Sequence, residues 1–215
     1  MSISFYFYLF LIAVLSVVVC LGGSRWIERL YRKNKDILTF PDDVVCRGRW
    51  RPYLLGIAFL ACGVRFFFLT SGLPLVFMLY AAALLLLMTA TDFEQYCLFD
   101  EMMIPFALGG MVLCAMYRTL FWDHLLAAVA GGAIFFIIGL VSRGALGGGD
   151  IKLIACLGLW LGTDALFAVS MIGIILGGLV ALLLLLTGKK KRKSAFAYGP
   201  YFALTTVALF LIRGL

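Results

Sequence analysis

Leu146-Gly147-Gly148-Gly149-Asp150-Ile151-Lys152-Leu153 puts a carboxylate at the end of a glycine run, in a chain that is otherwise overwhelmingly apolar. An acid beside hydrocarbon costs ~2.5–3.5 kcal/mol at a helix centre on insertion scales, so its presence points to function. A second acid, Asp92, ends another apolar run, Leu87-Met88-Thr89-Ala90-Thr91-Asp92. Whether the two acids can meet depends on the solvent around them and on the order of the segments between them.

Composition fixes the solvent. With 64% hydrophobic and only 13% charged residues, and a mean hydropathy of +1.09, 215 residues lack the polar surface to cover a soluble globule. Helices satisfy their own backbone groups in lipid, and the alternation of barrel strands is absent, so the expected fold is an all-α, polytopic membrane helix bundle forming a single domain over residues 1–215. The net charge of +7 does not indicate nucleic acid, because the basic residues gather in short segments between apolar runs, where they orient the chain and meet anionic lipid headgroups. Six scattered cysteines without a CxxC pair, and one histidine, give neither a zinc cage nor a disulfide framework, and no cofactor is expected.

About eight crossings are expected, over residues 4–22, 53–70, 75–91, 102–120, 125–142, 150–161, 165–187 and 196–211. The first has no basic residue before it and reads as a retained helix rather than a cleaved signal. Arg25, Glu28, Arg29 and Arg32 recur at helical spacing, so this helix should run on along the membrane surface into a reduced cytoplasmic loop, residues 23–52. Arg65 either faces the bundle or snorkels, and His124 reads as an interfacial residue. The sixth crossing is short, and Gly162-Thr163-Asp164 turns the chain after it.

Parity tests this count. If segment 23–52 is inside, loops 92–101, 143–150 and 188–195 are inside as well, and with Lys152 these segments hold fifteen of the eighteen basic residues. The outer segments hold only Arg118 and Arg213. Both chain ends are then outside, and residues 102–142 form a hairpin that returns Asp150 to the side of Asp92.

Two neighbouring carboxylates cannot comfortably both ionise, so one keeps a proton while the other acts as base on a shared water. That water attacks a peptide carbonyl, and the protonated partner donates first to the carbonyl oxygen and later to the leaving amine. Asp92 and Asp150 are the catalytic candidates. Gly147, Gly148 and Gly149 would let an extended substrate approach and the chain turn sharply. With Lys152, and with Glu94, Asp100 and Glu101 as an acidic rim, they form the substrate-binding set. The plainer roles are a hinge for the glycines and helix capping for Asp150, Asp100 and Glu101.

Residues 146–153, running on to Leu157-Gly158-Leu159-Trp160-Leu161-Gly162, resemble the GxGD segment of type IV prepilin peptidases, bacterial aspartic proteases of the inner membrane. Asp92 falls where that family places its first catalytic aspartate. Ala197-Tyr198-Gly199-Pro200-Tyr201 is similar to its late Phe-Gly-Pro segment, and Leu21-Gly22-Gly23-Ser24 with Arg29 to its Gly-Ser opening. The resemblance implies a multi-pass peptidase with its core in residues 75–215, cutting the basic leader from prepilins or pseudopilins at the cytoplasmic face, among membrane lipids. The chain departs from the family in having Phe99-Asp100 for the usual Pro-Asp, and a lone Cys46 in place of the paired CxxC motifs tied to zinc and to N-methylation. Presenilin-like proteases share the GxGD motif, but their Pro-Ala-Leu segment is absent. A transporter or assembly factor using the two acids as a proton or cation site is the non-enzymatic alternative.

Overall fold

The computed structural model describes residues 3–142, 146–188 and 197–214, with side chains from Tyr6 onward. Among them the chain is helical, as expected, and five helices are long and apolar enough to cross a membrane. It divides into two compact units, residues 1–97 with 207–215, and residues 98–206.

In the first unit, α1 (Ile3–Val17) passes through a π turn, Val18–Gly23, directly into α2 (Ser24–Lys33). Helix α2 continues the first helix, as the charge spacing predicts; it buries Ile27, Leu30 and Tyr31 and exposes Arg25, Arg29 and Arg32. The loop then makes two 3-10 turns and the short α3 (Val44–Arg47) before α4 (Arg51–Leu69) and α5 (Leu73–Gln95). Two glycines bring α4 against α1. A methyl on Gly63 would stand 2.6 Å from Ile12 Cγ2, one on Gly56 would stand 3.2 Å from Cys20 Cβ, and Ser16 donates to the Gly56 carbonyl at 2.8 Å. Small residues give close backbone approach where lipid supplies no hydrophobic drive between helices. Arg65 is exposed, the snorkelling alternative.

One boundary differs from expectation in a way that matters for the site. Helix α5 does not stop before Asp92 but continues to Gln95, and Tyr96 ends it in the left-handed conformation at φ 52°. Its last polar residues stay helical because Glu94 and Gln95 find partners in the first loop.

The second unit holds α6 (Asp100–Met116), α7 (Phe121–Val141), α8 (Gly148–Leu186) and the first half of α9 (Gly199–Arg213). Helix α8 is two arms joined at Gly162, whose φ of 71° and ψ of −179° only glycine adopts without strain. The arms fold back on one another, because Ile154 from the first and Leu166 from the second both face Gly131 of α7. The turn foreseen at residues 162–164 is thus compressed into one residue. The first arm, about 14 residues or ~21 Å, is shorter than the ~30 Å hydrocarbon layer.

A helix broken at one residue leaves orphan carbonyls and N–H groups on either side. Asp123, from the first turn of α7, takes the Thr163 N–H at 3.1 Å and the Thr163 hydroxyl at 2.5 Å, capping the second arm from another helix. The Leu159 carbonyl accepts from His124 Nδ1 at 2.9 Å and from Cys114 Sγ at 3.3 Å. His124 is therefore buried against α8, where the break creates an acceptor for it. Trp160 stacks on Phe106 and donates its indole N–H to the Phe106 carbonyl at 2.9 Å, tying α8 to α6. Residues 143–145 and the basic run at 189–193 lie outside the described residues.

Candidate active site

In the first unit, Asp92 sits in the last turns of α5 and is 4% exposed. Its backbone carbonyl accepts from the Tyr96 N–H at 2.9 Å. Two residues on, Glu94 is 7% exposed, and its carboxylate is held at 3.0 Å by Arg51 Nε on one oxygen and by the Tyr31 hydroxyl on the other. Arg51, itself buried, also donates to the Ser24 carbonyl at 3.2 Å, while Arg47 donates to the Glu94 carbonyl at 3.0 Å. The Gln95 side chain pairs with both backbone groups of Phe40, accepting at 2.8 Å and donating at 3.1 Å. The Phe40 ring meets Tyr96 edge-on and carries the Arg47 guanidinium 3.6 Å from its centroid.

Glu94 is thus not part of an open acidic rim. Its charge is spent on a buried arginine, because a carboxylate withdrawn from water needs a partner of opposite sign. The sequence hinted at this only through Arg51, the last cation before an apolar run.

In the second unit, Asp150 is the third residue of α8 and 6% exposed. Its Oδ2 accepts the Gly147 N–H at 3.3 Å, the reaching-back half of a capping box. A second backbone N–H, that of Gly199 at the start of α9, also donates to this carboxylate. Asp150 therefore lies against the positive ends of two helices, its own and α9, which favour negative charge there. The capping role considered for Asp150 is real, yet it accounts for the Gly147 bond alone; the Gly199-Pro200 segment brings the second donor.

The glycine run works differently from the sharp turn expected. Gly147 has φ −70° and ψ 146°, open to any residue, and Gly148 and Gly149 are already helical. Space is what distinguishes them. A methyl on Gly147 would lie 3.3 Å from Asp150 Oδ2, one on Gly149 would lie 3.1 Å from Leu98 Cβ, and one on Gly148 would meet nothing within 4 Å.

Lys152 reaches across to α6 and holds both Asp100 oxygens at 2.8 Å, with both side chains more than half exposed. Asp100 and Glu101 occupy the first turn of α6, where negative charge suits the helix end. Of the substrate-binding candidates, then, Lys152 and Asp100 are joined to each other, Gly147 to Asp150, and Glu94 to Arg51 and Tyr31.

The type IV leader peptidase family matches residues 78–182, a stretch that contains both Asp92 and Asp150. Three relatives, each named prepilin leader peptidase/N-methyltransferase, illustrate the similarity. The Bacillus subtilis protein is 28% identical over 155 residues, covering 71% of this chain and 61% of the relative. The Dickeya chrysanthemi protein is 31% identical over 159 residues, 71% of this chain and 55% of the relative. The Klebsiella pneumoniae protein is 35% identical over 118 residues, half of each chain. The chain thus spans about half to three fifths of the length of these curated relatives. No solved structure matches. Through residues 78–182, the chain belongs to the type IV leader peptidase family.

Proposed function

We propose that this multi-pass membrane protein is an aspartic endopeptidase that removes the short basic leader of prepilins or pseudopilins, with Asp92 and Asp150 sharing one proton and one water. The observation that carries this reading is that the family match spans two carboxylates, each nine-tenths or more buried at the end of an apolar helix. Buried acids there are costly unless used. The carboxylate that keeps the negative charge draws a proton from the shared water, the water attacks the scissile carbonyl, and the protonated partner donates to the carbonyl oxygen and then to the departing amine. The cytoplasmic face of a bacterial inner membrane is the location proposed for this chemistry, on the distribution of basic residues. The relatives' second activity, N-methylation, is not extended to this chain, whose first loop carries the single cysteine Cys46.

Purified full-length protein should cleave a prepilin panel just before the hydrophobic helix. Asp92→Asn and Asp150→Asn should each abolish cleavage, and the double variant should be no worse than either. Cleavage at the parent rate by either Asn variant would refute the dyad.

A further inference from the structure

Helix ends fray, and a catalytic group in the last turn of a helix is held only as well as that turn. The last turn of α5 is pinned from outside at three successive residues: Glu94 by Arg51, Tyr31 and Arg47, Gln95 by the Phe40 backbone, and Tyr96 by the Phe40 ring. All these partners come from residues 31–51, the first loop and its flanks. Tyr96 is held in the left-handed region that non-glycine residues avoid, so the neighbouring contacts impose this ending on the chain.

Residues two apart on a helix lie about 200° around its axis. The Glu94 contacts therefore grip one side of the turn and leave Asp92 on the other. The backbone closes the link, since Tyr96 donates to the carbonyl of Asp92 itself.

We propose that Glu94 is a positioning residue for Asp92: its buried pair with Arg51, completed by Tyr31, uses the first loop to fix the helix turn that carries the catalytic acid. The proposal rests on the peptidase reading above. It departs from an electrostatic role for Glu94 in capturing a basic leader, because a carboxylate buried against arginine has no field left to offer.

Three variants test it: Glu94→Gln, Arg51→Lys, and the double Arg51→Gln/Glu94→Gln, which restores a neutral hydrogen-bonding pair. Each single variant should lower kcat about 10- to 100-fold. KM should stay within about twofold at any salt concentration. The double variant should recover a substantial part of kcat, since the link is re-made without charge. A second readout is independent of cleavage. In a protein freed of its six native cysteines, the thiol introduced by Asp92→Cys should react with a small methanethiosulfonate about tenfold faster once Glu94→Gln is added, as the turn loosens. A rise in KM that salt erases would overturn the proposal in favour of steering. Folded Glu94→Gln protein with parent kcat and an unchanged thiol rate would overturn it in favour of a purely structural pair. Faster thiol labelling in the Asp92→Cys background, together with no leader cleavage by the parent protein that keeps Asp92, would uphold the clamp and refute the peptidase reading instead.

Discussion

The three glycines before Asp150 make a graded experiment, because adding one methyl at each meets a different neighbour. At Gly148 the methyl meets nothing within 4 Å. The residue is already helical, where alanine is favoured over glycine by up to ~1 kcal/mol in an interior and less in a first turn. Gly148→Ala should therefore hold or slightly raise stability and leave cleavage within about twofold. At Gly149 the methyl stands 3.1 Å from Leu98 Cβ, an atom bonded directly to Cα that moves only with its backbone. Overpacking costs ~1–3 kcal/mol, and the helix gain offsets part of it, so Gly149→Ala should lose about 1 kcal/mol. At Gly147 the methyl stands 3.3 Å from Asp150 Oδ2, so the carboxylate must yield by a few tenths of an ångström. If a misplacement of ~1 Å costs ~100-fold, 0.3 Å costs about fourfold when the loss scales exponentially. Gly147→Ala should thus lower kcat about three- to tenfold with about 0.5–1 kcal/mol of stability lost at the cap. Leader cleavage under single-turnover conditions, beside thermal unfolding in the same detergent, reads both quantities. A Gly148→Ala protein of unchanged Tm that loses as much cleavage as Gly147→Ala would refute this ordering and return the glycines to contact with substrate.

Gly158→Ala should be the most damaging of the helix glycine changes, because its methyl would overlap the backbone of Ala127 and Ala128, which cannot rotate away; a loss of ~2 kcal/mol or more in thermal unfolding is expected, with no special effect on kcat per folded molecule. Asp123→Ala should cost ~1–2 kcal/mol by removing the cap of the second arm of α8, and Asp123→Asn, whose one amide oxygen can still take the Thr163 N–H while its NH2 donates to the Thr163 hydroxyl, should cost much less; equal losses would show that the cap is not what Asp123 supplies. Lys152→Met breaks an exposed pair and should change stability by less than ~1 kcal/mol, a difference that 1 M salt removes. Thiols introduced at the exposed residue 100 and at residue 190 of a cysteine-free protein should label from the same side of the membrane, the cytoplasmic one, and labelling from opposite faces would undo the inside-positive orientation.

The helical membrane fold was legible because composition leaves no other solvent and because turn residues punctuate the apolar runs at 71–74 and 162–164. The reversal at Gly162 was foreseeable from its residue type; its tightness was not, because that depends on Asp123 and His124 arriving from another helix to satisfy what the break exposes. The two acids stood out by their cost in an apolar setting. The surroundings of those acids stayed hidden for a common reason: each is built from contacts far apart in the chain. Arg51 and Glu94 are 43 residues apart, and nothing in either local stretch distinguishes a buried, paired glutamate from a solvated one. Gly199 reaches Asp150 from a separate helix, so the Gly-Pro segment could be singled out by resemblance but not assigned its donor role. End positions were misjudged where tertiary partners override local polarity, as at Gln95.

The one-residue reversal at Gly162 also limits how this protein can be handled. Most connections between membrane helices tolerate an inserted epitope, since their backbone is solvated and makes few bonds. Residues 117–120 between α6 and α7 are of that kind, exposed and tied only by short turns. At Gly162 there is no slack. A tag placed between residues 162 and 163 would separate Thr163 from the aspartate that caps it and push Leu159 away from its two donors at once. Topology reporters therefore belong at 117–120, and a fusion at 162–163 would report misfolding rather than topology.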